Sequence, residues 1–487
     1  MDAIEQKILA AVDARRDALL SFAHDIAAHA EPGFYETRTA GRVSEMLRSF
    51  GLPVETGLCR TGVRATLQGT ANDAAGTGGR AGAGHTPDSD SLSDPRKQTN
   101  ENRLSDTDRR SGKELPAGVS GAGAQNGPCL TIIGELDGIL CPAHPNANPE
   151  NGLAHACGHN AQLTAMLGAA AALCEPEVAA ALCGSVQFFA VPAEEYVSFS
   201  TREALRKEGV EFCCGKSELL RLGAFDGTDL AITTHVHMIP CESDLLLGNV
   251  ACTGFVSKMV TFRGKAAHAA VAPHLGVNAL NAAALALNGI GLLRETFREC
   301  DTVRIHTKLK ESGTALNVVP DVIEMEAIVR ASTLEALHDA AEKFDRVCVH
   351  CAAALGATAE IADYQGYLPV RYTPACDALR QAAAALPALS AECAAPTMQN
   401  MACTDVGDLS HVLPVVNFTH GGVSGALHSA DFAVEDEEKA YLAPAKMMAL
   451  TAYHLLRDGA AGARQIMDDF TPVFTRESYV QTVRGQG

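Results

Sequence analysis

Four stretches of this 487-residue chain carry side chains that could hold a metal ion or move a proton: Cys157-Gly158-His159, Glu194-Glu195, His235-Val236-His237 and His428. A thiolate and an imidazole two residues apart, with a glycine between them that lets the backbone bend closely around an ion, suit zinc or a similar transition metal. Adjacent residues on extended chain point to opposite sides, so one of Glu194 and Glu195 could coordinate an ion while the other faces a substrate and a water. A ligand beside a general base of tunable pKa is what a metal hydrolase requires. Each feature alone has a plainer reading: Cys-x-His arises by chance, a Glu-Glu pair at a strand end is usually solvated, and a lone His428 is more often structural. A site exists only if the fold gathers them.

The elements that would do so are short apolar runs at residues 129–134, 185–191, 230–234 and 414–419. They end, respectively, in Glu135 and Asp137, in Glu194 and Glu195, in His235 and His237, and in His420 with Gly421-Gly422. Runs of this kind without clean alternation suit strands buried on both faces, with helices as crossovers. The expected class is α/β, a mixed, mostly parallel sheet flanked by helices whose ligands bind beyond the carboxyl ends of the strands. Residues 2–22 and 38–50 read as amphipathic helices, the second closed by Gly51, and a helix over 435–456 ends the catalytic part. The middle of the chain reads strand 257–264, helix 276–297, strands 302–310 and 322–330, helix 334–355 and strand 357–364, the β-α-β-β-α-β order of a ferredoxin-like domain. The expected division is 1–250 and 365–487 for a catalytic domain, with 251–364 inserted in it. Residues 70–127, rich in Gly, Ala, Ser, Asp and Arg, bury too little to offset their ordering entropy and read as a disordered insertion.

Composition excludes several roles. With 39 basic and 58 acidic residues the formal charge is −19, which argues against nucleic acid and against an anionic membrane surface. No signal-peptide pattern or membrane-length apolar run is present, so the expected location is the cytoplasm, in keeping with 16 cysteines that follow no disulfide framework.

Together these motifs resemble the metallopeptidase and amidohydrolase family that includes aminoacylase, bacterial glutamate carboxypeptidase and the plant auxin-conjugate hydrolases. The likeness is to the amidohydrolase branch, with its His-Ala-Cys-Gly-His-Asn/Asp motif at His155 to Asn160, and it includes aminobenzoyl-glutamate hydrolase-like proteins. It implies two divalent ions, zinc or manganese, held by Cys157, His159, Glu195, His235 and His428, with Glu194 as general base and acid. It implies a homodimer through residues 251–364, in which His268 reaches the partner's site to stabilise an oxyanion. Asn317 resembles the family's substrate-binding asparagine, and Arg330 could pair with a substrate carboxylate. Asp405, in Cys403-Thr404-Asp405-Val406-Gly407-Asp408, would support the site without binding metal. The activity so implied is cleavage of an amide bond in N-acyl amino acids, small dipeptides or aminobenzoyl-glutamate-like conjugates. Two alternatives stay open at this level: a catalytically inactive binding protein on the same fold, and a thiol amidohydrolase with Cys157 as nucleophile.

Overall fold

The computed structural model describes residues 1–71, 127–310 and 315–484. Most of the expected insertion therefore lies outside the described residues. The main sheet runs in the order Val54–Leu58, Gly62–Gln68, Ser185–Val191, Cys129–Glu135, Leu230–Val236, Val415–His420, Leu245–Asn249 and Thr373–Pro374, with Ala391–Cys393 added beside Leu245–Asn249. Its four central strands, Ser185–Val191 to Val415–His420, are parallel and its flanks largely antiparallel, the α/β arrangement expected. Every residue of Cys129–Glu135 is buried, which is why that strand reads as an unbroken apolar run.

Behind the sheet lies the helix His159–Leu173, buried on all sides. Its small residues allow close packing against the long carboxyl-terminal helix Ala443–Asp469: a Cβ at Gly168 would lie 2.6 Å from the Cβ of Ala445. The amino-terminal stretch forms two helices, Ala3–Ala14 and Arg16–Ala27, where a single one over 2–22 was expected. The apolar stripe Ile8, Val12 would continue onto Arg15 and Arg16, so the chain steps there and resumes its buried face at Leu19, Phe22 and Ile26. The last expected helix also differs. A π-turn over Glu438–Leu442 leads into Ala443–Asp469, whose helical backbone breaks at Arg457, Asp458, Gly459 and Ala460 before continuing, and a further helix follows at Arg476–Arg484.

The smaller sheet has the order Arg304–Leu309, Val322–Ala331, Gly254–Arg263, Thr358–Tyr364, all antiparallel. With the helices Ala279–Leu292 and Leu334–Ala354 packed beside it, it has the ferredoxin-like order of elements. Alternation along Val322–Ala331 buries Ile323, Met325, Ala327 and Val329 in the core shared with those helices. Period two then turns Ile328 and Arg330 to the opposite face, toward the main domain. Among the described residues no helix is long and apolar enough to cross a membrane.

Candidate active site

The conformation of Gly158 sets the first two donors. Its φ of +85° lies in the left-handed region, and a Cβ there would come within 3.0 Å of both methyls of Val236, so no other residue fits this turn without strain. The turn leaves Cys157 just outside a 15-residue helix and makes His159 its first residue, where the helix dipole favours negative charge on a nearby thiolate. His428 also has positive φ, +62°. A hydrogen bond from its backbone N–H to the Ala156 carbonyl, 2.9 Å, ties its loop to the cysteine turn. A non-glycine residue held in this region stores strain of the sort found at functional sites.

Around Cys157 the donors converge. Its Sγ lies 3.5 Å from His235 Nε2 and 3.1 Å from His428 Nε2. His428 Nε2 is in turn 3.2 Å from Glu195 Oε1. On the other side, His159 Nε2 lies 3.2 Å from Glu135 Oε2 and 3.8 Å from Glu194 Oε2. Three sets of donor atoms therefore lie within 4.8 Å of one another: Cys157, His159 and His235; Cys157, Glu195 and His428; Glu135, His159 and Glu194. Glu194 and Glu195 do point apart, one to each end of the cluster.

Neighbouring groups orient these ligands. His159 Nδ1 is 2.8 Å from the Asp137 carbonyl oxygen, and His235 Nδ1 is 2.9 Å from that of Val236. A carbonyl only accepts, so each Nδ1 carries the proton and each Nε2 presents a lone pair to the cluster. Asp137 also accepts from the Glu195 N–H at 2.8 Å, joining His159 to the Glu194-Glu195 turn. His237 lines the same cavity, but its ring nitrogens are engaged by Thr419 Oγ1 and the Ser243 carbonyl. Of the two histidines only His235 joins a donor set.

Four buried atoms in this cluster have no hydrogen-bond partner: Glu135 Oε2, Asp137 Oδ1, His159 Nε2 and Glu195 Oε1. Unpaired polar atoms at such density are costly in a protein interior, and soft and hard donors so arranged fit divalent cations. Burial, then the charges of Glu135, Glu195 and Asp405, pushes the Glu194 carboxyl well above the usual range. Burial and then His159 hold His235 below its ordinary value.

Sequence reasoning missed Lys216. It is fully buried, with its ammonium 2.6 Å from Glu135 Oε1 and also bonded to Asp405 Oδ1. This cation offsets part of the carboxylate charge in the cluster and gives Asp405 its place as a supporting residue. Nothing in Cys213-Cys214-Gly215-Lys216 announces it, since a lysine in sequence normally reads as surface. Two more supports were also missed. Gln162 accepts from the Glu135 N–H at 2.8 Å, and the Tyr367 hydroxyl donates to the Glu194 carbonyl.

The cluster opens into a cavity of about 950 Å³ lined by Tyr196, Phe255, Ile328, Arg330 and Tyr367 among others. Arg330 pairs in register with Phe255, lies 5.3 Å over its ring and donates to Cys403 Sγ. His268 and Asn317 lie elsewhere in this chain. Both are exposed, and the segments holding them are linked by a bridge between His268 and Val318 and by the Ala269 N–H to Asn317 carbonyl bond.

An α/β fold gathers this donor cluster at the carboxyl ends of its parallel strands, where divalent cations could be held, and comparison narrows the class. A family model for a peptidase dimerisation domain matches residues 250–352. The Xaa-Arg dipeptidase of Homo sapiens is 29% identical over 351 residues, covering 68% of this chain and 73% of its own length. A p-aminobenzoyl-glutamate hydrolase polypeptide of Escherichia coli K12 is 29% identical over 245 residues, 48% of this chain and 44% of its own. The Bacillus subtilis YXEP protein, a dinuclear metal-binding peptidase of the M20 family, superposes with a TM-score of 0.62 at 20% identity over 91% of this chain and 99% of its own. Together these likenesses support the M20 family of peptidases and amidohydrolases, and the similar proteins carry the names of hydrolases that act on amide C–N bonds.

Proposed function

We propose that the protein is a two-metal amidohydrolase that cleaves the amide bond of N-acyl amino acids, small dipeptides or aminobenzoyl-glutamate-like conjugates. The observation that carries this reading is the convergence of Cys157, His159, Glu195, His235 and His428 in two donor sets that share Cys157. These five residues would hold zinc or manganese. When bound, the ions supply Lewis acidity toward the scissile carbonyl and lower the pKa of water. Glu194, raised in pKa and facing the cluster beside Glu195, takes the proton of the attacking water and hands it to the departing amine. Arg330, a fixed cation on the cavity wall, meets a substrate carboxylate, and Asn317 would assist it. The chain forms a homodimer through residues 251–364, and His268 of one protomer acts in the site of the other on the developing oxyanion. The dipeptidase and aminobenzoyl-glutamate hydrolase relatives support this substrate range. The Cys157 nucleophile reading is disfavoured because its Sγ belongs to both donor sets, where a bound ion would engage the lone pair that attack needs.

The test is elemental analysis of the purified protein paired with hydrolysis of N-acetyl amino acids and dipeptides before and after chelation. About two ions per chain and chelator-sensitive amine release are expected. Activity that survives chelation and is lost on alkylation would favour the thiol mechanism instead.

A further inference from the structure

Beside the donor cluster, adjoining the substrate cavity, lies a small chamber of about 30 Å³. It meets the substrate cavity at His235, Met238, Ile239 and Thr404, which line both. It meets a third cavity, of about 350 Å³, at Asn249 and Asn417, which again line both. That outer cavity reaches the surface at Arg371 and Asp469, both exposed. Three cavities thus run in series, with the cluster residues Glu135 and His235 in the wall of the middle one.

The middle chamber is lined by side chains with unspent hydrogen-bonding capacity. Asn249 donates through Nδ2 to the Val415 carbonyl at 3.0 Å, which fixes its amide and leaves Oδ1 without a partner. Asn417 Oδ1, Asn400 Nδ2 and Glu135 Oε2 are also without partners. Asn249 and Asn400 are only 1% and 5% exposed, so bulk solvent does not serve them. A buried amide left unpaired costs about 1–3 kcal/mol, and the usual remedy is a buried water with two to four polar neighbours. A water needs at least about 10–15 Å³ of such volume, so the chamber has room for about two.

We infer that this chamber is a water-binding site that resupplies the hydrolytic water from the outer cavity while substrate fills the larger one. The inference rests on the proposed amidohydrolase reading. Each cleavage consumes one water: its oxygen joins the acyl carbon as the C–N bond breaks, one of its protons goes to the amine, and the other leaves with the ionising acid. In a site filled by substrate and products, the replacement needs a second route, and Asn417 and Asn249 line both the chamber and the outer cavity.

Asn417→Leu, which fills the chamber with apolar atoms of similar bulk, separates supply from chemistry. The first turnover draws on resident water and each later one on resupply. Single-turnover rate, kcat/KM and metal content are therefore expected to stay within about twofold of the unaltered enzyme, while steady-state kcat falls about five- to tenfold. Equal losses in single-turnover and steady-state rates, or no loss in either, would overturn the inference. Asn400→Leu gives the same readout should the first variant fail to fold. A high-resolution crystal structure of the unaltered protein should show ordered water on Asn249 Oδ1 and Asn417 Oδ1, and a dry chamber overturns the inference too. Absence of any amide hydrolysis by the unaltered, metal-loaded protein would instead sink the amidohydrolase reading, and the supply role with it, whatever water the crystal shows.

Discussion

Lys216→Met should destabilise the protein by far more than the loss of an ordinary lysine. In the native structure Lys216 and Asp405 are fully buried and Glu135 is 2% exposed, and the ammonium bonds both carboxylates. Loss of a surface pair costs at most about 1 kcal/mol, whereas removal of one partner from a buried pair costs about 3–5 kcal/mol because the remaining charge is stranded. At about 2.1 cal/mol/K per residue and a cooperative unit of roughly 300 residues, that lowers Tm by about 5–8 °C. The loss should depend on pH. Burial pushes Asp405 up to about 6 even though Lys216 pulls it down; without the lysine it rises further. A carboxyl raised in the folded state contributes most below its unfolded pKa of about 3.9, and that contribution is lost as pH rises through the folded value. The deficit of the variant should therefore be smallest near pH 4 and grow through pH 6 to 8. Scanning calorimetry of both proteins across this range is the assay. A Tm within about 2 °C of the native protein at pH 8, or a deficit larger at pH 4 than at pH 8, would refute this account of the buried cation.

Glu36, buried and bonded by Thr61 Oγ1 and the Ala193 N–H, is pushed up to about 8 by burial and then by Asp137. Its raised folded value means stability drains as pH climbs from about 4.5 to 8, so Glu36→Gln should be close to neutral near pH 5 and stabilising at pH 8 by denaturant titration; a gain confined to low pH would contradict it. The proposed reach of His268 into the partner's site can be checked by mixing Glu194→Gln and His268→Ala protomers, each nearly inactive alone. Random exchange leaves about a quarter of sites intact, so activity should recover to about that fraction, and no recovery after verified exchange of protomers would place His268 outside the partner's site.

Much of the architecture could be read from local pattern. The strand at 185–191 and the alternation over 322–330 were legible because a buried strand is a run of apolar residues and a half-buried one repeats every second residue. The helix expected over 2–22 was misread because Arg15 and Arg16 interrupt its stripe without any Pro or Gly to mark the break. The helix at Arg476–Arg484 went unseen because only Tyr479 and Val483 of its residues are buried, too few to form a pattern.

The candidate ligands were likewise chosen by type and spacing. Cysteine, histidine and glutamate at the ends of strands are local facts, and so is the glycine whose positive φ bends Cys157 and His159 around one point. Sequence alone therefore determined which residues could do chemistry and the parallel sheet that would carry them. Only the tertiary structure decided which would meet. The 3.1 Å contact between Cys157 and His428 joins residues 271 positions apart, and Lys216 reaches Asp405 across 189. Such pairs form because distant strands share a sheet edge and a buried charge must find its opposite, and neither condition leaves a trace in the neighbouring residues of the chain.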